Sequence, residues 1–231
     1  MIKDTYKVKS IKKELCKEWL LYKHYAKRIP SISYAFGLYE NNIMKGCCTY
    51  GLPPQHNCML LCGEQNKKNV IELNRLIKED GMPKNTQSWF VAQTFKLLPK
   101  PMIILSYADP NNGHNGYTYQ SLNFLYTGKS NPKDEYIFEN NQHTERHINK
   151  NWILKKGGLW NDDLTINENF INLGGKILKQ KPKNRYVYFN ANKKQKKLFF
   201  KELKWDILSY PKQINKNYDT SHKTTTQIEL F

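Results

Sequence analysis

The sequence is poor in acidic residues and has no long apolar run. Asp and Glu total 20 against 37 Lys and Arg, which gives a formal net charge of +17 over 231 residues. No stretch of about 18 apolar residues is present, so the sequence offers no candidate for a membrane-spanning helix. The first residues, Met-Ile-Lys-Asp, lack the apolar stretch of a secretory signal peptide, and we therefore expect a cytoplasmic protein.

Cysteine is also scarce, with 5 residues in the chain. In the cytoplasm these thiols are expected to stay reduced. Cys58 and Cys62 are separated by Met-Leu-Leu, a spacing that would bind zinc only if two further ligands came from elsewhere. We therefore interpret the cysteines as small buried apolar side chains.

The apolar content is sufficient for a core, at 39% hydrophobic and 13% aromatic residues. We expect one domain over residues 1–212 and a flexible tail over 213–231, because the tail is rich in Asn, Thr, Ser and Lys. Residues 131–183 are polar and contain two Gly-Gly pairs, which predicts insertions and irregular loops.

Much of the positive charge lies in one segment. Residues 176–204 contain eleven Lys and Arg and one acid, Glu202, together with several aromatic residues that could stack on bases. This composition favours a polyanion, and DNA is the expected partner. The codon bias of an AT-rich genome is the alternative source of the lysines. The predicted DNA contacts are Arg185, Lys193, Lys194, Lys196 and Lys197.

Hydrophobic periodicity predicts the order strand, helix, hairpin, strand, helix, strand, helix, strand. The first helix is expected from Ile11 to about Lys23, with Ser10 as its N-cap. Its predicted buried face consists of Leu15, Trp19 and Tyr22. A basic helix is expected near the end of the domain, at Lys193 to Leu203, with Leu198, Phe199 and Leu203 facing inward.

The most informative stretch is residues 103–120. A buried strand ends at Asp109, passes through the turn Pro110-Asn111-Asn112-Gly113, and leads into a short helix that carries Tyr119. Several reactive side chains are thereby gathered at one edge of a sheet, which is typical of an active site. An ordinary Asx turn at Asp109 is the alternative, because Asp favours such turns without any catalytic role.

The predicted element order resembles the GNAT-like acyl-CoA N-acyltransferase fold, an α+β fold with a mixed, mostly antiparallel central sheet flanked by helices. Several spaced motifs further resemble the Mom family of bacteriophage DNA adenine-modification proteins, and the resemblance covers roughly residues 5–212. The motifs are Glu72-Leu-Asn-Arg-Leu76, Lys84-Asn-Thr-Gln-Ser-Trp-Phe90, Ser106-Tyr-Ala-Asp109, Gly113-His-Asn-Gly-Tyr-Thr-Tyr-Gln120, Asn123-Phe-Leu-Tyr-Thr-Gly128 and Tyr210-Pro-Lys212.

This resemblance implies a reaction in which the N6 amine of adenine in DNA receives a carbamoylmethyl (acetamido) group, which protects phage DNA from restriction. It implies catalytic roles for Asp109, for Tyr119 and for His24, which stands in a His-Tyr pair after the first helix. A hairpin tyrosine also belongs to the family site. Tyr34 is our assignment, although Tyr39 could correspond instead; His114 is either a substrate contact or a solvated loop residue.

A metal and a group donor follow from the same resemblance. His24, Asp109 and Tyr119 offer nitrogen and oxygen ligands of the kind that suit non-haem iron, to which the family is linked. Acyl-CoA enzymes of this fold bind pyrophosphate with a glycine-rich loop, which is missing from Gly81 to Thr86. This absence argues against an ordinary acyl-CoA donor. An anion could still bind the helix start at Lys84, Asn85 and Thr86, where Asn85 or Thr86 is also the expected N-cap.

The last five residues, Gln-Ile-Glu-Leu-Phe, resemble the Gln-Leu-x-Leu-Phe peptide with which proteins bind bacterial sliding clamps. Clamp binding through Gln227, Leu230 and Phe231 would bring the protein to newly replicated DNA.

Two other functions remain open. One is a non-catalytic DNA-binding module on a degenerate acyltransferase fold, and the other is an ordinary N-acetyltransferase, which the charge and the missing glycines disfavour.

Overall fold

The computed structural model describes residues 2–139 and 148–211. Its strands are β1 (Tyr6–Ser10), β2 (Tyr34–Glu40), β3 (Ile43–Gly51), β4 (Val70–Lys78), β5 (Met102–Ala108), β6 (Leu125–Lys129), β7 (Asp134–Ile137), β8 (Lys176–Lys179) and β9 (Asn184–Asn190). Its helices are α1 (Ile2–Thr5), α2 (His56–Met59), α3 (Thr86–Leu97), α4 (Tyr117–Gln120), α5 (Lys150–Lys155), α6 (Ile166–Asn172) and α7 (Lys193–Glu202).

The chain divides into two compact units. The larger unit runs up to Lys129 and resumes at Asn184, and the smaller consists of Ser130–Lys183. The sheet of the larger unit has the order β1-β2-β3-β4-β5-β9-β6, and its neighbouring strands are antiparallel except for β4 and β5. This mixed, mostly antiparallel sheet with its flanking helices confirms the predicted GNAT-like α+β class.

The parallel pair β4 and β5 is joined through α3, as parallel strands require a crossover connection. Its register extends only from Val70–Ile103 to Glu72–Leu105. Beyond these residues β4 continues to pair with β3, and β5 continues to pair with β9. The carboxyl halves of the two strands therefore diverge, and a gap opens between them at the place where open sheets with helical crossovers commonly bind ligands.

The sheet is buried on both faces. Ile104 and Ala108 of β5 belong to one cluster with Phe90 and Phe95 of α3, which we call the α3-side cluster. Ile103 and Leu105 belong to a second cluster that contains Phe199 of α7, the α7-side cluster. Alternate residues of a strand point to opposite faces, so a strand covered on both sides appears in the sequence as a continuous apolar run.

The first helix differs from its prediction. A 3-10 turn at Lys13–Cys16 and a π turn at Trp19–Lys23 replace a regular α-helix, and β1 extends to Ser10, which caps neither. Both turns depart from 3.6 residues per turn, and this shifts the buried face. Leu15 and Tyr22 are consequently exposed. The buried side chains are Cys16, Trp19 and Leu20.

The smaller unit corrects the expectation of irregular loops over residues 131–183. Strands β7 and β8 pair, and helices α5 and α6 complete a unit with its own core. That core is formed by Phe138, Ile153 and Phe170. Helix α6 begins with a capping box between Thr165 and Glu168. These apolar residues are too scattered along the sequence to produce a periodic signal.

Helix α7 begins close to its prediction, with a capping box between Asn192 and Gln195. Phe199 is buried and Leu203 packs against the α7-side cluster, as expected, but Leu198 is exposed and Phe200 packs in its place. All five cysteines are buried and none forms a disulfide, which agrees with their interpretation as apolar side chains.

Two further predictions concern the ends of the domain. Within the described residues, no helix is both long and apolar enough to cross a membrane. The tail from 213 onward, including Gln227, Leu230 and Phe231, lies outside the described residues. The domain boundary at residue 212 and clamp binding therefore stay predictions.

Candidate active site

Asp109 lies at the mouth of the gap between β4 and β5. Its side chain is 6% exposed, and Oδ1 accepts hydrogen bonds from the Asn111 backbone amide (3.1 Å) and from Asn111 Nδ2 (2.9 Å). The Asp109 carbonyl accepts from the amides of Asn112 and His114. The predicted Asx turn is therefore present. It holds the carboxylate in one orientation, which a catalytic role also requires.

Two hydrogen bonds with Tyr186 of β9 hold the turn after Asp109 in place. The Tyr186 hydroxyl donates to the Asn115 carbonyl (2.7 Å) and accepts from Gln120 Nε2 (3.0 Å). Gly116 has a φ of +90°, and a Cβ there would lie 2.4 Å from a carbon of the Tyr186 ring. Only glycine fits this position without displacement, so Tyr186 and Gly116 together set where α4 begins.

His24 ends the π turn at Trp19–Lys23 and is buried. Its Nδ1 accepts a hydrogen bond from the Ala26 amide (3.0 Å). The ring centroids of His24 and Tyr25 are 4.3 Å apart, and those of Tyr25 and His114 are 5.5 Å apart. The three rings form a row that connects the first helical segment to the turn after Asp109.

Tyr25 was not among the predicted site residues, yet it lies at the centre of this row. Burial raises the pKa of its phenol, and the negative charge of Asp109 raises it further, whereas Arg75 and Arg28 oppose the shift. One carboxylate and two guanidinium groups therefore act on a single phenol whose side chain is still 47% exposed. Its position next to His24 was the available signal, because the resemblance rested on a His-Tyr pair.

Tyr119 of α4 is partly buried against the α3-side cluster, with its ring centroid 5.2 Å from Phe124 and 5.4 Å from Tyr186. Burial raises the pKa of its phenol well above the ordinary value, although a hydrogen bond with Ser106 acts in the opposite direction. The charge of an ionised Tyr25 would raise that pKa as well. Tyr119 is therefore both a core side chain and a protonated neighbour of the site.

Tyr119→Phe is expected to change the alkaline stability of the protein. A phenol with a raised pKa in the folded state keeps its proton while the unfolded chain loses it above about pH 10, so stability falls as pH rises beyond that value. Removing this phenol should make the fall less steep, by at most about 1.4 kcal/mol per pH unit. Urea unfolding between pH 8 and about 11 measures the slope; identical slopes for the two proteins would contradict the assignment.

Tyr34 begins β2 opposite Tyr50 and packs against the same α3-side cluster as Tyr119. Ring contacts with Tyr25 link His24 to His114 in the turn after Asp109. The role of Tyr34 stays a prediction.

Iron binding by His24, Asp109 and Tyr119 stays a prediction. Among residues 2–139 and 148–211, no three His, Cys, Asp or Glu side chains are grouped so that they could hold a metal ion. The predicted set combines His24 and Asp109 with the phenol of Tyr119, which is a different type of ligand. We assign no chemical step to a metal.

The start of α3 has fewer free hydrogen-bond donors for an anion than the sequence indicated. Asn85 has a left-handed conformation with φ 67° and provides no side-chain cap. Thr86 is buried, and both its amide and its hydroxyl donate to the Pro83 carbonyl, at 3.2 and 2.7 Å. The two donors of Thr86 are thus already used within the chain. Binding of a cofactor by Lys84, Asn85 and Thr86 stays a prediction.

The predicted DNA contacts fall into two groups. Lys193, Lys194 and Lys197 are exposed on the first turns of α7, while Lys196 is partly buried near the Tyr188 ring. Arg185 is engaged within the protein instead: its Nη2 donates to the Thr127 carbonyl (2.6 Å), its Nε donates to Thr127 Oγ1 (3.1 Å), and its guanidinium lies 3.6 Å from the Trp205 ring centroid. Burial lowers the pKa of this guanidinium.

Comparison with known proteins gives one family match. The profile of the Mom protein family matches residues 5–212. Methylcarbamoylase mom of Escherichia phage Mu is 26% identical over 197 residues, which are 82% of this chain and 77% of the phage protein. The match to the family profile therefore extends over both segments of the larger unit and across the smaller one.

Two solved structures show what this chain resembles in fold. An N-acetyltransferase from Staphylococcus aureus Mu50 has a TM-score of 0.43 and 13% identity, with 80% of this chain and 99% of that chain covered. Naa50 of Arabidopsis thaliana, solved with a bisubstrate analogue, has a TM-score of 0.37 and 13% identity, with 55% of this chain and 87% of that chain covered.

Proposed function

This chain belongs to the Mom protein family, and we propose that it transfers a carbamoylmethyl group to the N6 amine of adenine in phage DNA. The observation that carries the proposal is the Asp109 carboxylate, fixed by two hydrogen bonds at the mouth of the gap between β4 and β5. The name of the phage Mu relative, methylcarbamoylase, supports the same reaction.

The chemistry needs a proton acceptor. The lone pair of the adenine N6 amine is delocalised into the ring, which makes the nitrogen a weak nucleophile. A positioned carboxylate can take one N6 proton while the nitrogen bonds to the methylene carbon of the incoming group and the bond from that group to its donor breaks. Asp109 is the proposed acceptor, because its side chain is nearly buried and its orientation is set by Asn111.

Tyr25 and the two arginines extend this site. The row of rings from His24 through Tyr25 to His114 presents an aromatic surface next to the carboxylate, on which an extruded adenine can stack. Stacking of one base on aromatic side chains contributes roughly 1–3 kcal/mol. This is comparable to the few kcal/mol that extrusion of a base from the duplex costs. Arg75 and Arg28 supply positive charge for a phosphate or for an anionic donor.

Helix α7 supports DNA as the substrate. Its first turn contains no acidic residue, and four of its first five residues are lysines, Lys193, Lys194, Lys196 and Lys197. Positive side chains at a helix N-terminus interact unfavourably with the helix dipole, by roughly 0.3–1 kcal/mol each near the surface. A phosphate backbone would offset this repulsion, and we propose that these lysines contact it.

Mass spectrometry of nucleosides tests the proposed reaction. Plasmid DNA from bacteria that express the protein is expected to contain a deoxyadenosine in which one hydrogen is replaced by a carbamoylmethyl group, and DNA from empty-vector cells is not. The modified plasmid should also resist restriction endonucleases that cut at adenine-containing sites. Unmodified plasmid from cells that contain soluble protein would refute the proposed enzymatic activity. If that protein still bound DNA, a non-catalytic DNA-binding module would be the better description.

A further inference from the structure

The parallel pairing of β4 and β5 ends at Glu72 and Leu105, and the next residue of β5 is a serine. Ser106 is completely buried, and its Oγ donates a hydrogen bond to the carbonyl of Leu73 on β4 (2.9 Å). A side chain therefore ties the two strands together at the point where their backbones stop pairing. Ser106 marks the closed end of the gap whose mouth carries Asp109.

The same serine is a hydrogen-bond partner of Tyr119. The phenol belongs to α4, and its bond with Ser106 brings the hydroxyl to the closed end of the gap. The ring is partly buried against the α3-side cluster, to which Leu73 also belongs. Three polar groups from β4, β5 and α4 are thus connected in series: the Leu73 carbonyl, the Ser106 hydroxyl and the Tyr119 phenol.

The number of protons fixes the direction of this series. A carbonyl oxygen can only accept a hydrogen bond, and a serine hydroxyl has one proton to donate. Because Ser106 gives that proton to Leu73, its oxygen can only accept from Tyr119. The phenol proton therefore points at Ser106, and the side of the phenol oxygen that is left for a ligand is an acceptor.

A purely structural explanation exists, because a buried hydroxyl and a buried carbonyl must both be satisfied. The core contains a matching example, in which Thr94 Oγ1 donates to the Val91 carbonyl (2.7 Å) and is bonded to the Tyr50 hydroxyl. Tyr50 is completely buried, so its oxygen cannot meet a ligand. Tyr119 is only partly buried and follows the turn after Asp109, and this difference indicates a role in the candidate site.

We propose that Ser106 is a positioning residue that makes Tyr119 a hydrogen-bond acceptor, and that Tyr119 thereby selects a base with an exocyclic amine. The choice of a base as ligand rests on the proposed function. The Tyr119 oxygen holds one N–H of the adenine N6 amine while Asp109 takes the other proton. A base with a carbonyl at the same position, such as hypoxanthine, would place its oxygen against another acceptor and bind more weakly.

Binding measurements test this selection without a group donor. Two labelled oligothymidylate strands are compared, one with a single central deoxyadenosine and one with a central deoxyinosine, whose base is hypoxanthine. Fluorescence anisotropy of the full-length protein is expected to give a Kd roughly 10-fold lower for the adenine strand. In Ser106→Ala the phenol is free to donate to the hypoxanthine oxygen, so the two Kd values should become nearly equal. Thr94→Val, which removes the matching hydroxyl of the core, should keep the ratio of the original protein.

Modification in cells tests whether Ser106 acts through Tyr119. Ser106→Ala is expected to lower the amount of modified deoxyadenosine in plasmid DNA by about 10-fold, but by less than about 2-fold when Tyr119→Phe is already present. Ser106→Thr keeps the hydroxyl and should retain both the modification and the base preference. If Ser106→Ala does not fold, Ser106→Cys takes its place, because a thiol of similar size is only a weak donor.

Equal losses of modification in the two backgrounds would overturn the proposal, since Ser106 would then only support the sheet. A ratio of Kd values that is the same in Ser106→Ala and in the original protein would overturn it as well. Failure of the proposed function gives a different result: the original protein leaves DNA unmodified, while the change of base preference in Ser106→Ala is still measured.

Discussion

Asp109→Asn is expected to lower the rate of adenine modification by about 10²–10⁴-fold, the range over which a positioned general base contributes. Asparagine keeps a side-chain oxygen that can accept the hydrogen bonds from Asn111, so the Asx turn should persist. What is lost is the negative charge and the ability to take the N6 proton. The amount of modified deoxyadenosine in plasmid DNA, followed over time after induction in bacteria that express equal amounts of each protein, gives the ratio.

A second variant separates catalysis from structure at the same position. Asp109→Ala removes both the charge and the acceptor of the turn, and it should add a loss of stability of about 1 kcal/mol to the loss of rate. Thermal unfolding and DNA affinity are measured for both variants. An Asn variant that modifies DNA at more than about a tenth of the original rate would show that Asp109 only shapes the turn.

Gly116→Ala is expected to destabilise the protein by about 2–5 kcal/mol. About 1–2 kcal/mol of this comes from a left-handed conformation that a Cβ disfavours, and about 1–3 kcal/mol from its overlap with the Tyr186 ring. Because Tyr186 also holds the Asn115 carbonyl, the turn that leads from His114 to Tyr119 should shift and modification should fall with it.

Gly113→Ala is the matched control. Gly113 has a φ of +71°, but a Cβ there meets open space. Gly113→Ala should therefore lower the free energy of unfolding only through the left-handed conformation, by about 1–2 kcal/mol. Urea denaturation of the two variants gives both free energies of unfolding, and equal losses would mean that the packing of Gly116 on Tyr186 does not constrain the turn.

The strands of the larger unit could be predicted because their residues alternate or are continuously apolar, as in β4 and β5. The first helical segment could not, since its 3-10 and π turns leave no 3.6-residue period in Cys16, Trp19 and Leu20. The smaller unit was missed for a related reason: Phe138, Ile153 and Phe170 meet only in three dimensions.

Within the candidate site, Asp109 and Tyr119 lie on elements adjacent in sequence, and a strand–turn–helix pattern located both. Tyr25 comes from a segment 84 residues before Asp109 (109 − 25), and only the fold brings the two together. Arg75 stood in a recognised motif, but its sequence position gave no indication that it acts on Tyr25.

The pairing of β6 with β9 brings the two ends of the smaller unit together. Lys129 and Asn184 are partners in that ladder, so the chain leaves the sheet at Lys129 and returns directly opposite. Ser130 and Lys183 are hydrogen-bonded to each other at the next step. The unit is in effect the loop of a β-hairpin, and the entropy of closing a loop grows only with the logarithm of its length. A change in the length of the inserted segment should therefore cost the sheet little stability, since its two ends stay paired whatever lies between them.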